Sequence, residues 1–439
     1  MKEFGEHIMK NSGPKTEKEN TYNERESWPP YTYRDYADIA PETYNAFMEF
    51  LETENTSNKV MELQPWISFC DSRCTFCYYP NNPFSLSLIE PYLEALKKEL
   101  MMYAKTKYVK TSEFDEIVLG GGTPSLMSKD QMLGLIKFCE KNFNTVDDYF
   151  IKITGSSRSF DRDKLVAAAE YGVYQVDMGA QTFDNKLRRM LNLPDSAEHV
   201  AEEIKTARKL GLCVCIDIMY NIPGQTIESW TDTVKKAIEL DAEVDAYCLQ
   251  VYPETVLYKQ MQTGKAPPQG DKELEKQMYT TAYELFKEAG YKPIGHDRYS
   301  RDEWHEKENC INGWPWAGIL TTGAGCFMGY LQRFSYSNIE NANEYIAAVN
   351  EGRYPIAKLS ESTEKDMMRK VMTRLYIRLP VDKLEFKEKF GKLPEEVYPE
   401  QLKRLKAKDL IEINEKEIRL TELGDLWKAN IAWEFAENK

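Results

Sequence analysis

The chain contains the segment Cys70-Asp71-Ser72-Arg73-Cys74-Thr75-Phe76-Cys77, which places three cysteines at C-x3-C-x2-C spacing. Three thiolates this close together converge on one metal centre only if the backbone between them forms a tight loop, which is too short for a helix face or a strand edge. Cysteine thiolates are the usual ligands of iron–sulfur clusters. Because the loop supplies three ligands, a four-iron cluster bound here would keep one iron open for a group other than protein.

Three other roles for these cysteines agree less well with the sequence. Buried apolar cysteines are common, but the neighbours here are Asp, Ser, Arg and Thr. Structural zinc requires four ligands, and all histidines lie far from the segment; they are His7, His199, His296 and His305. A disulfide would leave one cysteine over. We therefore predict a 4Fe–4S cluster.

Length and composition predict a cytoplasmic protein of two or three domains. The 439 residues are enough for a large core, and 42% hydrophobic with 29% charged residues is ordinary for a globular chain. Residues 1–30 lack an apolar run, and no later segment has about 18 consecutive apolar residues, so we expect neither a signal peptide nor a membrane span. A net charge of −14 disfavours a nucleic-acid partner. Nine cysteines including a cluster of three fit a reducing compartment.

Strand-like and helix-like segments alternate from residue 60 to residue 251. We predict strands at 60–67, 116–119, 149–154, 173–178, 213–219 and 246–251, with a helix in most of the connections. This order favours an α/β fold with a parallel sheet, either doubly wound or curled into a full or partial barrel. Ligand sites of such sheets lie at the carboxyl ends of the strands. The cysteine loop, the triple glycine at 120–122, the segment around Gln181 and residues 221–226 each lie near a predicted strand end, which predicts one site.

Four regions follow from this pattern. We predict a flexible N-terminal arm over 1–35, a (β/α) core over 36–265, a substrate-covering segment over 266–362 and a C-terminal domain over 363–439. The last region combines helices with two short strands at 410–413 and 417–420, a pattern typical of a winged-helix-like domain. Since the chain is acidic, we expect this domain to act as scaffold or lid rather than to bind nucleic acid.

The sequence Gly120-Gly121-Gly122-Thr123-Pro124 closes a predicted strand with residues that lack side chains, so backbone can approach a ligand there. Together with the C-x3-C-x2-C loop, it resembles the radical S-adenosylmethionine (SAM) superfamily. The resemblance implies a partial parallel (β/α) barrel, in which Cys70, Cys74 and Cys77 hold the catalytic 4Fe–4S cluster. The open iron would bind the amino and carboxylate groups of SAM, and the strand end, Gly120, Gly121, Gly122 and Thr123, would support the amino group. It also implies reductive formation of a 5′-deoxyadenosyl radical, fed by a flavodoxin- or ferredoxin-type electron donor.

Two further stretches resemble the oxygen-independent coproporphyrinogen III oxidase family. Residues 176–184, VDMGAQTFD, are similar to its LGVQSF stretch, and residues 217–226, DIMYNIPGQT, are similar to its DLIYGLPGQT stretch. The resemblance implies that Gln181 and Asp217 contact SAM, and that Asp217 and Met219 line a second SAM molecule. The chain departs from the family in the lead-in at 64–69, at Thr154 where the family has glutamate, and at Leu193 where it has arginine, so coproporphyrinogen decarboxylation is doubtful.

Other motifs resemble the haem-utilisation branch, the anaerobilin synthases. They are residues 154–160, 187–191, 264–268, 323–330 and 419–427. This resemblance implies a radical methyltransferase that opens the porphyrin ring of haem without oxygen, methylates a meso carbon and releases iron to give the linear tetrapyrrole anaerobilin.

The aromatic and basic segment 296–336 is where we expect haem to bind, because a flat macrocycle requires aromatic walls and its propionates require cations. The candidate substrate residues are His296, Arg298, Arg301, His305, Tyr330 and Arg333, with His296 or His305 as a possible axial iron ligand. Three alternatives stay open. They are a methyltransferase or cyclopropanase for another substrate, a coproporphyrinogen III oxidase-like enzyme, and a haem-binding or trafficking protein with a structural cluster.

Overall fold

The computed structural model describes residues 22–30, 38–57, 59–301 and 315–436. His305 therefore lies outside the described residues. The chain divides into two compact units, one formed by Tyr33–Thr363 and the other by Met1–Thr32 with Glu364–Lys439.

The larger unit alternates strands and helices. Its strands are β1 (Met61–Ile67), β2 (Phe69–Cys70), β3 (Asn82–Pro83), β4 (Phe114–Gly121), β5 (Thr145–Gly155), β6 (Gln175–Gln181), β7 (Cys213–Tyr220), β8 (Glu243–Cys248), β9 (Lys292–Ile294), β10 (Arg298–Ser300), β11 (Ile319–Thr322), β12 (Gly329–Leu331), β13 (Phe334–Asn338) and β14 (Ile356–Glu361). Its helices are α1 (Pro41–Leu51), α2 (Leu86–Ala104), α3 (Lys107–Lys110), α4 (Lys129–Asn142), α5 (Arg162–Tyr171), α6 (Asn185–Met190), α7 (Ala197–Lys209), α8 (Ile227–Glu239), α9 (Val256–Gln262), α10 (Lys272–Glu288) and α11 (Ala342–Asn350).

Twelve of these strands form one sheet in the order β14-β13-β12-β11-β1-β4-β5-β6-β7-β8-β10-β9. The seven strands from β11 to β8 are parallel, and the strands outside them are antiparallel. Because the order has two free ends, the sheet is a partial barrel rather than a closed one. The predicted α/β class with a partial parallel barrel is thus confirmed. Residues 266–362, predicted as a covering segment, supply β9 to β14 of this same sheet.

Local sequence explains where the helices begin and end. The Ser128 hydroxyl accepts from the Gln131 N–H, and the Gln131 side chain accepts from the Ser128 N–H, a capping box that begins α4. Asp161 caps α5, which ends at Gly172 with φ 96°, a conformation that favours glycine. These caps set short connections, so each strand's carboxyl end opens into a loop at one edge of the sheet.

The second unit is a helical domain with a small sheet. Its helices are α12 (Glu364–Met372), α13 (Lys383–Phe390), α14 (Pro394–Val397), α15 (Pro399–Ala407), α16 (Glu422–Leu426) and α17 (Lys428–Trp433). Its strands are β15 (Val381–Asp382), β16 (Ile411–Ile413) and β17 (Glu417–Leu420), in the order β15-β17-β16. The two predicted wing strands are therefore joined by a third, β15.

The described part of the predicted N-terminal arm, residues 22–30, packs within this second unit. The Arg25 Nε donates to the Leu426 carbonyl at 3.0 Å, and the Trp433 Nε1 donates to the Trp28 carbonyl at 2.8 Å. Arg25 is only 3% exposed. Residues 22–30 are therefore a packed part of the helical unit. Across the described residues, no helix is both long and apolar enough to cross a membrane.

Candidate active site

The cysteine loop, residues 70–77, follows β1 at the carboxyl edge of the sheet and is held at several points. The Asn82 N–H donates to the Ser68 carbonyl at 2.6 Å, which closes the loop at its base. In its middle, the Thr75 N–H donates to the Leu191 carbonyl at 2.9 Å, and the Leu257 N–H donates to the Thr75 carbonyl at 2.8 Å. The loop is thus fixed by two segments that are distant in sequence.

The three cysteines of this loop are free thiols and are partly buried. Burial, with smaller contributions from the charges of Cys77 and Asp71, raises the pKa of Cys70 to about 11. Burial, then the charges of Cys77 and Cys70, raise the pKa of Cys74 to about 12. Three thiolates that repel each other in a buried place fit a centre that supplies positive charge, because a coordinating cation deprotonates thiols. The donor set therefore fits an iron–sulfur cluster.

Two polar side chains point at these sulfurs. The Thr123 hydroxyl donates to Cys70 Sγ at 3.4 Å, and the Asn81 Nδ2 donates to Cys77 Sγ at 3.7 Å. Such donors tune the potential of a bound cluster. No group of three His, Cys, Asp or Glu in the described parts of the chain surrounds a single metal ion.

The triple glycine lies directly against the cysteine loop. Trp66 pairs with Gly120 in the register of β1 and β4, and the Gly122 N–H donates to the Ile67 carbonyl at 2.8 Å. A Cβ at Gly121 would lie 2.7 Å from Trp66 Cδ1, and a Cβ at Gly122 would lie 3.0 Å from Cys70 Sγ. Only glycine allows β4 to end this close to the cysteines.

Gln181 and Asp217 lie on neighbouring strands beside this loop. Gln181 has φ 63° at the end of β6, where a bulge interrupts the pairing with β7 and Asp217 pairs with Gly179. The Tyr247 hydroxyl donates to Gln181 Oε1 at 3.4 Å. Burial raises the pKa of Tyr247 well above its usual value, and the charges of Asp217 and Cys77 contribute. Tyr247 therefore links the predicted SAM residues to the cysteine loop.

The sequence analysis missed Tyr247 and also Arg188, which fixes the Gln181 turn. The Arg188 Nη1 donates to the carbonyls of Ala180 at 2.6 Å and Thr182 at 3.0 Å. Arg188 is 3% exposed, and the charge of Cys74 acts on its pKa. Alternate side chains of β8 face inward, so the sequence pattern could have indicated Tyr247. No local pattern indicates Arg188.

Three carboxylates, Asp177, Asp217 and Asp245, occupy the inner face of β6, β7 and β8. Asp217 pairs directly with Asp245 in the strand register. Burial, then the charges of Asp245 and Asp177, raise the pKa of Asp217 to about 8. Arg298 binds Asp245 through two hydrogen bonds of 2.9 and 3.1 Å. Arg298, which we expected at a haem propionate, thus lies on β10, and its guanidinium pairs with Asp245 in this row of three carboxylates.

The structure does not bring three other predicted substrate residues to the cysteine loop. Arg301 donates to Asp241 Oδ1 at 2.7 Å, before the start of β8. Tyr330 pairs with Ile319 at the start of β11 and donates to the Pro315 carbonyl, and Arg333 pairs with Glu361 at 2.6 Å. All three positions lie at the amino edge of the parallel strands, opposite the cysteines.

The remaining predicted positions divide between the site and the core. His296 is exposed and precedes β10 near the carboxyl end of β8. Met219 is fully buried in an apolar cluster against which Leu193 packs, so its side chain offers no surface to a second SAM molecule. Thr154 pairs with Asp177 in the register of β5 and β6.

An aromatic cluster, formed by Trp66, Tyr78, Tyr79, Tyr252 and Phe327, borders the cysteine loop. Ring centroids lie 5.4 Å apart for Trp66 and Phe327, 4.9 Å for Tyr79 and Phe327, and 4.4 Å for Tyr78 and Tyr252. Tyr78 is 37% exposed. The neighbouring Met328 is 36% exposed. The cluster is therefore an apolar surface that meets solvent within a few residues of Cys77.

Comparisons with known proteins agree with this site. Residues 65–237 match the Radical SAM superfamily model, and residues 362–427 match the HemN C-terminal domain model. The chain is 27% identical to the heme chaperone HemW of Bacillus subtilis over 82% of this chain and 95% of that protein. It is 25% identical to the anaerobilin synthase of Escherichia coli O157:H7 over 83% and 81%.

A solved structure supports the fold. The structure described as coproporphyrinogen III oxidase (HemN) from Escherichia coli aligns with a TM-score of 0.79 and 21% identity, covering 93% of this chain and 96% of that one. The Radical SAM superfamily model spans the cysteine loop, the triple glycine, Gln181 and Asp217. The HemN C-terminal domain model spans most of the helical unit. The chain therefore combines a region that matches the Radical SAM superfamily model with a region that matches the HemN C-terminal domain model, and it resembles HemN-like proteins along most of its length.

Proposed function

We propose that this radical SAM protein methylates a meso carbon of haem and opens the macrocycle without oxygen. The observation that carries the proposal is the aromatic cluster beside the cysteine loop. Aromatic rings are suited to a flat, apolar macrocycle, because they bury large area with defined geometry. The named relatives are a heme chaperone, an anaerobilin synthase and a coproporphyrinogen III oxidase, which all concern tetrapyrroles.

The chain's own residues suit the two cofactors that this resemblance implies. Cys70, Cys74 and Cys77 would hold the 4Fe–4S cluster, and residues 120–123 would present backbone to the amino group of SAM. When bound, cluster and SAM together supply one-electron cleavage of a carbon–sulfur bond. Gln181, aligned by Tyr247 and Arg188, offers an amide to SAM, and Asp217 accepts hydrogen bonds from hydroxyl groups. Since the Asp217 pKa is raised to about 8, a hydroxyl donor there relieves an unfavourable buried carboxylate.

Methyl transfer requires a second SAM molecule as methyl source. We propose Asp217 for its binding and omit Met219, whose side chain is enclosed by Leu187, Leu191, Ile222 and Leu257 among others. The number of SAM molecules is measurable by equilibrium dialysis of the reconstituted protein. Two molecules per chain are expected, and a stoichiometry of one would contradict the methyltransferase.

An acidic flavodoxin- or ferredoxin-type electron donor suits the surface beside Cys74. Arg73, Lys186 and Arg189 are exposed, and their side chains have no ion-pair partner within the described parts of the chain. Asn192, three residues beyond Arg189, donates from Nδ2 to the Arg73 carbonyl at 2.9 Å. Arg73 thus lies on the cysteine loop, and Lys186 and Arg189 lie on α6, whose C-terminal end is hydrogen-bonded to that loop, in a chain whose net charge is −14. Complementary charge accelerates such encounters.

The test is anaerobic incubation of the reconstituted protein with haem, SAM and a reductant, followed by mass spectrometry of the tetrapyrrole. A methylated linear product with loss of iron is expected, and the Cys74→Ala variant should form none. Haem recovered intact while 5′-deoxyadenosine accumulates would reject haem as substrate and leave the radical SAM assignment in place.

A haem chaperone is the second candidate, favoured by the relative from Bacillus subtilis that aligns over 95% of its length. The position of Arg301, Tyr330 and Arg333 also favours a chaperone. These predicted haem-binding residues lie at the edge opposite the cysteines, and a chaperone need not bring haem to the cluster. A chaperone would bind haem, show a Soret band and transfer haem intact to an acceptor apoprotein. The same incubation separates the two functions, since only the methyltransferase consumes SAM in proportion to haem.

A further inference from the structure

Glu99 is a buried carboxylate of α2 that no step above uses. It is 0% exposed and accepts three hydrogen bonds, from the Gly323 N–H at 2.8 Å, the Asn338 Nδ2 at 2.7 Å and the Tyr345 hydroxyl at 2.6 Å. The Asn338 Nδ2 also donates to the Gly323 carbonyl at 3.1 Å. Gly323 is thus bound at both its N–H and its carbonyl by one buried network.

Gly323 begins the glycine loop, residues 323–328, which packs on both ends of the cysteine loop. A Cβ at Gly323 would lie 2.4 Å from the Trp66 carbonyl oxygen, and a Cβ at Gly325 would lie 2.8 Å from the Pro80 carbonyl oxygen. Trp66 precedes the cysteines and Pro80 follows them. Both glycines have positive φ, 104° and 68°. The close approach therefore depends on glycine and on the conformation that the Glu99 network holds.

A tyrosine completes the connection between the two loops. The Tyr92 hydroxyl donates to the Trp66 carbonyl at 2.6 Å and accepts from the Ala324 N–H at 3.0 Å. Beyond Ala324 the same loop carries Phe327, which packs on Trp66 and Tyr79 at centroid distances of 5.4 and 4.9 Å. Displacement of Gly323 would therefore move Phe327 relative to the aromatic cluster.

We propose that Glu99 is a positioning residue for substrate binding: it holds the glycine loop so that Phe327 completes the aromatic surface for the tetrapyrrole. The substrate part of this inference rests on the proposed function, whereas the loop part does not. Glu99 lies below the loop and touches neither cysteines nor substrate. It acts through Gly323 and the chain that leads to Phe327.

Burial raises the pKa of Glu99 to about 7, so a neutral acceptor fits its place. Glu99→Gln keeps a carbonyl oxygen for the Gly323 N–H. Its new amide would face the Asn338 Nδ2, and a rotation that lets Asn338 Oδ1 accept from it gives up the Asn338 hydrogen bond to the Gly323 carbonyl, so this variant keeps only part of the network. Glu99→Ala removes all three acceptor contacts. Glu94→Ala is the matched control, because Glu94 lies exposed on the same helix and, among the described residues, pairs only with Lys97.

The first measurement is hydrogen–deuterium exchange on the full chain. We expect faster exchange at residues 320–330 and 66–80 in Glu99→Ala, a smaller increase in Glu99→Gln and no change in Glu94→Ala. This readout requires no haem. Unchanged exchange in a folded Glu99→Ala protein would overturn the inference.

The second measurement is haem affinity, followed by visible absorption. We expect Glu99→Ala to lower haem affinity about tenfold, a typical consequence of leaving a buried donor unsatisfied, and Glu99→Gln to lower it less. In a Phe327→Ala background, Glu99→Ala should add little, because residues that act through one another are not additive. Faster exchange with unchanged haem affinity, or fully additive losses, would overturn the positioning role.

Two further outcomes are decisive. If the original chain binds no haem while exchange still responds to Glu99→Ala, the proposed function falls and the loop role stands. If Glu99→Ala fails to fold, Tyr345→Phe, which removes one donor to Glu99, takes its place in the same cycle. If Tyr345→Phe then lowers haem affinity equally in the original chain and in the Phe327→Ala background, the inference is contradicted.

Discussion

Asp217 and Asp245 lie opposite each other in the register of β7 and β8, and Arg298 donates two hydrogen bonds to Asp245. Asp217 has no ion-pair partner in the described parts of the chain, and its carboxyl faces two like charges. The row is therefore asymmetric: Asp245 on β8 is ion-paired, whereas for Asp217 on β7 the charge of Arg298 is outweighed by burial and by the charges of Asp245 and Asp177. That asymmetry leaves Asp217 as the member available to a ligand.

Asp217→Asn should change how stability depends on pH. Burial and like charges raise the Asp217 pKa from 3.8 to about 8, so the folded chain binds a proton more tightly than the unfolded chain does. This favourable contribution is complete below pH 3.8 and is lost as pH rises through about 8. The variant should therefore gain stability relative to the original chain between pH 5 and pH 8, measured by urea unfolding without cofactors. A difference that does not vary with pH would contradict the assignment.

Gly122→Ala should prevent cluster binding. The new Cβ would lie 2.6 Å from the Phe69 carbonyl oxygen and 3.0 Å from Cys70 Sγ, so the cysteine loop must shift. We expect a loss of about 1–3 kcal/mol in the free energy of unfolding, as for overpacked sites, and a low iron content after reconstitution. Iron and sulfide analysis with urea unfolding measures both.

Gly134→Ala is the control for that substitution. Gly134 lies in α4, and a Cβ there would meet nothing within 4 Å. Alanine should stabilise the helix by up to about 1 kcal/mol and leave iron content unchanged. Full iron content in Gly122→Ala would show that the strand end does not need glycine.

Tyr78→Ala should weaken haem binding, whereas Arg333→Ala should not. Tyr78 is the most exposed ring of the aromatic cluster, and removal of one stacked ring typically costs a factor of about five to ten in affinity. Arg333 lies at the amino edge and pairs with Glu361. Spectroscopic haem titration of both variants tests this. A large loss for Arg333→Ala would restore the substrate role expected from sequence.

Arg73→Glu combined with Arg189→Glu should slow reduction of the cluster by reduced flavodoxin. We expect about a tenfold loss of rate at low ionic strength, decreasing as salt screens the charges. Reduction by dithionite, which requires no docking, should stay unchanged. The control variant carries the same change in net charge through two Lys→Glu substitutions far from the loop, one of them at Lys105 just beyond α2. If that control slows reduction equally, the effect comes from net charge and not from docking of the donor beside the cysteine loop.

Local chemistry explains why part of the site was predictable. The cysteine spacing and the glycines after β4 lie within single loops, where a short motif specifies the donors and the backbone conformation. The βα alternation likewise predicts a parallel sheet, and therefore which loops share an edge. These features need no knowledge of distant contacts, so the cluster site followed from residues 70–77 and 120–123.

Strand direction decided where the substrate candidates lie. Arg301, Tyr330 and Arg333 are close in sequence to the aromatic segment and were grouped with it. Because β10 and β12 run antiparallel to the strands beside them, each carries the chain to the amino edge, and the grouped residues separate from Phe327. Sequence proximity therefore misplaced them relative to the cysteines.

The sequence by itself predicted the cluster ligands and determined the glycine strand end and the α/β class, since each depends on local spacing or on periodic burial. Only the tertiary structure decided that Tyr247 and Arg188 adjoin Gln181, that Arg298 neutralises Asp245, and that Glu99 holds Gly323. These relationships join residues 8 to 224 positions apart. Their physical basis is strand register and buried hydrogen bonding, which exist only once the sheet has formed.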